Sequence, residues 1–231
     1  MPKIGIMKKH VKFALLVLCL FSKIGAQDFI QLKYVPTNLE IEVLHVSVTI
    51  LGTDEDFASY SALLPDGEEL SCVENRGTFR VRSLYKTSGE IIIKIPKTKT
   101  LERMRITAAM GNITVQDMSV VHATILLTRG DIGVTNCLFK TSNLTHNTGK
   151  LRFSAGVKSS AICVSNVTAA VAYLGKKDDY HLDYSQANSQ LVINEVPMIK
   201  LQGELGRAKA LKRALLSVSA SAVSVMFPVS E

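Results

Sequence analysis

A short motif returns six times in this chain at a spacing near twenty residues, and that repeat restricts the possible folds more than any other feature. Gly89-Glu-Ile-Ile-Ile, Gly111-Asn-Ile-Thr-Val, Gly130-Asp-Ile-Gly-Val and Gly149-Lys-Leu-Arg-Phe share a glycine followed by apolar residues at the second and fourth places. Ala169-Ala-Val-Ala-Tyr and Ser189-Gln-Leu-Val-Ile keep the apolar pair and replace the glycine by another small residue. The steps between copies are 22, 19, 19, 20 and 20 residues. Side chains two apart on a strand point the same way, so each copy offers two inward side chains. These are Ile91/Ile93, Ile113/Val115, Ile132/Val134, Leu151/Phe153, Val171/Tyr173 and Leu191/Ile193. In a chain that is 47% hydrophobic, apolar residues in all twelve slots would rarely arise by accident.

The small residue suits a sharp corner before each strand, where glycine adopts backbone angles closed to other residues. Stacked coils would bring equivalent positions to about 4.8 Å from one another, so six coils predict a column roughly 25 to 30 Å tall. Residues 124–127, 139–144, 161–164 and 180–184 supply second strands between the corners. The expected fold is all-β and single-domain: a β-helix (solenoid) of about 19–22 residues per turn, spanning 89–199. A β-sandwich is the alternative, because its strands also recur with turns between them. A sandwich does not require a small residue at a fixed period.

Residues 27–88 read as a β-rich N-terminal lead-in and cap, with alternation across 40–50, a polar turn at 52–56 and a short strand at 78–81. Residues 200–231 read as a C-terminal cap, since an open solenoid end exposes unpaired strand edges. Within it, 203–216 is expected to form a short amphipathic helix, with Leu205, Leu211 and Leu215 on one side and Arg207, Lys209, Lys212 and Arg213 around it. Val218, Ala220 and Ala222 then alternate as a final strand. A sharper reading of the basic segment 207–213 is peripheral contact with an anionic membrane or glycan.

The formal charge of +7 invites a nucleic-acid partner, but five of the lysines (Lys3, Lys8, Lys9, Lys12 and Lys23) lie in residues 1–26, which hold no acid. Without them 22 basic face 20 acidic residues, so no nucleic-acid partner is expected. The same stretch reads as an export signal: lysines, an apolar run at 13–21, then Ile24-Gly-Ala before Gln27. That run is far short of the roughly twenty residues that cross a bilayer. An uncleaved anchor and a lipid-modified Cys19 are the alternatives. The expected location is outside the cytoplasm: periplasm, outer membrane or cell surface.

With the rungs laid out, a family resemblance emerges. The alternation at 41–50 runs into Gly52-Thr-Asp-Glu-Asp. Ile91-Ile-Ile-Lys-Ile-Pro-Lys then leads to Leu101-Glu-Arg-Met-Arg-Ile-Thr-Ala-Ala-Met-Gly-Asn-Ile-Thr-Val-Gln-Asp. Over roughly 38–195 the chain resembles a bacterial domain family of candidate adhesins, of unknown function and related to auto-transporter adhesin heads. The resemblance implies a right-handed parallel β-helix in an exported or surface protein, and it brings no catalytic motif. The glycine is lost at Ala169 and Ser189, and the tail from about 200 has no counterpart in it.

Parallel β-helices also include enzymes that cleave acidic polysaccharides, so a carbohydrate-active lyase or hydrolase is the second functional reading. Its local candidate is Lys176-Lys-Asp178-Asp179-Tyr180-His181, where carboxylates beside a histidine could do acid/base work on a glycosidic bond. Adjacent carboxylates on a strand point oppositely, however, and a solvated corner loop explains the run as well. His45, His122 and His146 are isolated. Cys72, Cys137 and Cys163 show no metal spacing and read as small core side chains, although one disulfide among them is open. Asn112, Asn143 and Asn166 match the N-glycosylation pattern, which would be inert in a bacterium. No catalytic, cofactor-binding or metal-binding residue is expected. The outward set Thr114, Gly133, Arg152, Ala172 and Val192 is small and mostly uncharged, which suits surface contact with a protein or glycan.

Overall fold

The structure, a computed structural model, describes residues 28–65, 70–83, 88–175 and 179–227. The export signal at 1–26 and Cys19 lie outside these residues. The fold is all-β, with almost no helix among the described residues. The first strands are β1 (Ile30–Gln31), β2 (Asn38–Val43), β3 (Val46–Thr53), β4 (Ser59–Leu63), β5 (Ser71–Asn75), β6 (Thr78–Ser83) and β7 (Gly89–Pro96). The glycine repeat follows in β8 (Thr100–Met110), β9 (Ile113–Gln116), β10 (Ser119–Arg129) and the long β11 (Ile132–Ser165). The chain closes with β12 (Val167–Tyr173), β13 (Tyr180–Ala187), β14 (Gln190–Ile193), β15 (Val196–Pro197), β16 (Gln202–Gly206), β17 (Lys212–Ser219) and β18 (Ala222–Met226).

Parallel pairing sorts these strands into two columns that the chain visits alternately, a solenoid-like arrangement. In the first column Ser119 pairs with Thr100 on one side and Leu138 on the other, so β8, β10 and the 138–148 stretch of β11 lie in order. In the second, Ile113 pairs with Ile132, one turn of 19 residues away. All twelve side chains predicted to face inward are buried. Each buried Ile, Leu, Val or Phe contributes about 1.5–3 kcal/mol relative to exposure. The predicted second strands at 124–127, 139–144, 161–164 and 180–184 fall within β10, β11 and β13.

The spatial order of the rungs is not the chain order. β2 and β3 stand between β6/β7 and β8/β9: Ile41 pairs with both Val81 and Ile106, and Val48 with both Ile91 and Ile113. The lead-in segment thus supplies an inserted rung of the stack. The other end mirrors this. β17 lies between the 159–165 stretch of β11 and β13, and β18 lies between β12 and β14. Antiparallel strands close both ends, β5 and β4 on β6 and β7, β16 and β15 on β13 and β14. These short return strands cover the parallel edges that an open solenoid would leave exposed.

Three expectations need correction. Residues 203–216 form strand, turn and strand rather than a helix: β16 ends at Gly206 and β17 begins at Lys212. Paired on both sides, β17 satisfies its backbone in two ladders and buries Ala214, Leu216 and Val218, whereas the leucines assigned to a helix face stay exposed (Leu205 37%, Leu211 85%, Leu215 48%). The repeat at Ala169 is displaced by two residues. Leu151 pairs with Ala169, and Phe153 with Val171, because the corner is made earlier, at Asn166 in the left-handed region (φ 52°). An even slip keeps every inward side chain inward, and it puts Ala170 rather than Ala172 beside Arg152 in the outward row. The final strand likewise breaks at Ala220 (φ 46°), so that Val223 and Val225 face the core in place of Ala220 and Ala222.

The corner column is built from Gly111, Gly130 and Gly149, all at positive φ, and continues with Asn166, Asn188 and Ala220. A side-chain ladder runs beside it. Asn112 accepts a bond from the Asp131 amide, and Asp131 accepts one from the Lys150 amide, each at 3.0 Å. Of the cysteines, Cys137 is buried, Cys72 is half-buried and Cys163 is exposed on the outer surface, so the core reading fails for Cys163; all three thiols are free. Phe139, Phe153, Tyr173, Tyr180 and Phe227 form a run of ring contacts 5.3–6.3 Å apart, leading to the C-terminal end of the stack.

Candidate functional site

Of the segment proposed for acid/base work, Lys176, Lys177 and Asp178 lie outside the described residues. Asp179 is 3.4 Å from the Lys212 ammonium, which also stands 4.8 Å from the Tyr180 ring centroid. That carboxylate is engaged where β13 begins. His181 finds other partners. Its Nε2 lies 3.1 Å from Asp183 and 3.9 Å from Glu204, which faces Asp183 across the antiparallel β13–β16 pair. The alternation His181-x-Asp183 is visible in the sequence, but Glu204 joins only through a pairing that a helical 203–216 conceals.

One imidazole nitrogen and two carboxylates within 4.8 Å of one another form a donor set of the kind that zinc uses. The surroundings suit an ion less well. Arg213 is the cross-strand partner of His181, so a guanidinium shares that face. The buried Nδ1 has no hydrogen-bond partner among the described residues, whereas a ligating histidine is normally oriented through its second nitrogen. As it stands, the trio clamps β16 onto β13. The other histidines do not converge on it: His122 bonds Thr141 at 2.8 Å, and buried His146 bonds the carbonyls of Gly130 and Thr148.

Two concave features do stand out. The larger, of about 730 Å³, is an open groove along the corner where the chain passes from the second column to the first. It runs from Thr100 past Ser119, Leu138 and Gly156 to Leu174 and Leu211, which lie side by side at its far end, five rungs or roughly 19 Å at strand spacing. Leu138 (61% exposed), Leu174 and Leu211 make its floor apolar, and Lys140, Lys158 and Lys212 line it with positive charge. Among the described residues its lining holds no carboxylate, although Asp179 stands beside Lys212. Leu211 and Lys212 reach the groove only because β17 is inserted next to β11.

The second feature, about 310 Å³, opens at the C-terminal end of the stack. Its inner wall is Tyr180, Ile193 and Phe227, and its rim is Val196, Met198 and Leu205. The polar atoms nearby are already used. The Tyr180 hydroxyl donates to the Leu174 carbonyl at 2.6 Å, and the Asn194 side-chain oxygen accepts from the Phe227 amide at 2.8 Å.

Residues 37–165 match the sequence profile described as Toastrack DUF4097, more than half of the chain. The chain belongs to this family. A relative from Treponema pallidum (strain Nichols), an uncharacterized protein, is 30% identical over 234 residues, covering 94% of this chain and 93% of its own length. Among solved structures, a candidate cell-adhesion protein from Clostridium sporogenes superposes with a TM-score of 0.46 at 8% identity, covering 87% of this chain and 98% of that one. A candidate lipid-binding protein from Parabacteroides distasonis superposes with a TM-score of 0.40 at 11% identity, covering 87% and 97%. The family match takes in β2 to β11, so the N-terminal rung insertion falls inside it. The β17/β18 insertion and the cap follow beyond residue 165.

Proposed function

We propose that the protein is an exported, non-catalytic scaffold of the bacterial envelope or cell surface. In this reading it is a right-handed parallel β-helix, akin to auto-transporter adhesin heads, that binds a protein or glycan through its lateral surface. The observation that supports it is the corner groove, which is long, open, apolar at its floor and lined, among the described residues, by lysines rather than carboxylates. An extended acidic polypeptide suits such a groove better than a neutral glycan, because backbone and apolar side chains can lie along the leucines while lysines meet the acids. Acid/base chemistry on a sugar would need carboxylates about 5–10 Å apart across an open cleft, and the acidic groups near His181 are instead drawn onto one imidazole.

The test is to incubate the purified chain with panels of envelope and extracellular proteins and of acidic and neutral glycans. Both retention and new reducing ends or unsaturated products are recorded. Retention that is lost in Leu138→Asp and Lys140→Glu, with the melting point kept, supports the groove. Turnover that disappears in a His181→Ala, Asp183→Asn variant would overturn the non-catalytic reading. For export, N-terminal sequencing of the envelope fraction is expected to give a mature chain starting near Gln27. An intact Met1 or Met7 in the membrane pellet would indicate an anchor instead.

A further inference from the structure

The C-terminal edge of the stack carries a second surface with a different chemistry. β15 and β16 are the outermost strands of their columns at that end, and the apolar cavity of about 310 Å³ opens beneath them. Water entering this cavity finds the neighbouring hydroxyl and amide already bonded, so an apolar occupant fits it better. At and beyond the rim, aliphatic side chains stand largely in solvent: Val196 at 57%, Leu201 at 71% and Ile199 at 94% exposed. They are not flexible ends of the chain. The segment carrying Ile199 and Leu201 is strapped to β13 by Gln186, whose side chain donates to the carbonyls of Met198 and Lys200 and whose amide donates to that of Leu201. The fold therefore holds these groups outward.

Charge distinguishes among possible occupants. Lys200 sits between Ile199 and Leu201, and Lys209 and Arg213 flank Leu211, all exposed. Among the described residues none of these three is ion-paired; Glu195 and Glu204 are the acids of the same stretch. Aliphatic side chains protruding from turns, interspersed with cations, fit a deformable phase with an anionic surface better than a rigid protein face. A second copy of this chain would bring the same cations against one another. We propose that this edge docks on an anionic lipid bilayer. The exposed aliphatic side chains enter the acyl region, the cations meet headgroup phosphates, and a lipid chain occupies the cavity rimmed by Val196, Met198 and Leu205.

The experiment is sedimentation of the full chain with phosphatidylcholine vesicles containing phosphatidylglycerol, against vesicles of phosphatidylcholine alone. Binding to the anionic vesicles, weakened by salt, is expected. An Ile199→Ser, Leu201→Ser variant should bind at least about tenfold more weakly, and Lys200→Glu with Lys209→Glu should do the same, both with unchanged melting. The chain contains no tryptophan, so Val196→Trp places a single reporter on the cavity rim, and lipids brominated in the acyl chain should quench it. Equal binding to both vesicle types, wild-type binding by the serine variant, or an unquenched reporter would overturn the proposal. So would loss of a dimer in the serine variant, which would make the edge a self-association face. Leu138→Asp should leave vesicle binding intact, so failure here and failure of the groove reading are separable.

Discussion

Replacing Gly130 by alanine should be among the most damaging small changes the chain can suffer, and replacing Gly133 should be harmless. Gly130 has φ +131°, and a Cβ there would lie 1.8 Å from the Gly111 carbonyl oxygen and 2.8 Å from its carbon. Both atoms are backbone, so no rotamer relieves the clash. Restoring an ordinary carbon–oxygen contact requires the two rungs to part locally by roughly 1.5 Å, which stretches hydrogen bonds past their useful range. Two bonds join these corners: the Ile113 amide to the Asp131 carbonyl at 2.9 Å, and the Asp131 amide to Asn112 at 3.0 Å. Losing both costs about 2 kcal/mol, and the left-handed backbone adds about 1–2 kcal/mol. The sum, about 3–4 kcal/mol, corresponds to a melting point lower by roughly 10 °C for a domain of this size. At Gly133 a Cβ would meet nothing within 4 Å. Alanine there should gain up to about 1 kcal/mol by restricting the unfolded chain. Thermal melts followed by far-ultraviolet circular dichroism measure both, and equal shifts for the two variants would refute the corner geometry.

Ile132→Asp buries an unpaired carboxylate in the column and should cost at least about 3 kcal/mol in urea unfolding. Asp131→Asn keeps the acceptor for the Lys150 amide and should stay within about 0.5 kcal/mol. Burial, only partly offset by bonds to the Gly130 and Thr148 carbonyls, holds His146 below its usual 6.5. The native state therefore resists a proton that the unfolded chain accepts, so this contribution is full above about pH 6.5 and falls away below it; His146→Gln should flatten the loss. Burial pushes the Cys137 thiol up to about 11, whereas Cys163 is exposed, so a thiol reagent near pH 8 should label Cys163 first and Cys137 only on denaturation.

The inward pairs were legible because burial imposes period two whatever the neighbouring strand is. Val48 and Ile50 carry the same pattern as Ile91 and Ile93, so the pattern alone does not decide which of them lies against Ile113 and Val115. Rung order therefore had to come from the pairing itself. The corner at Asn166 was hidden because asparagine tolerates the left-handed region almost as glycine does, so a search for small residues settled on Ala169, two places late. The tail misled for a related reason. Leu205, Leu211 and Leu215 follow a spacing that fits a helix face, yet Ala214, Leu216 and Val218 fit a strand equally, and only the open ladders of β11 and β13 favour the second. That error concealed the meeting of Glu204 with His181, and it placed the basic cluster 207–213 on a helix face rather than on the turn after β16 and the first residues of β17.

The inserted rung formed by β17 and β18 builds both the groove and the cap, so its position is the claim on which the rest depends. Cys163 pairs with Ser217, and Ser217 in turn pairs with Ser185 on its far side, with the two serine hydroxyls 3.4 Å apart on the outer surface. Adjacent strand positions fall within disulfide range, whereas positions two strands apart, at about 9.6 Å, do not. Oxidation, or a short thiol-to-thiol reagent, should therefore link native Cys163 to the thiol introduced by Ser217→Cys and leave the Ser185→Cys variant unlinked. Efficient linkage in the Ser185→Cys variant, with none in Ser217→Cys, would mean that the coils stack in chain order and would contradict this account.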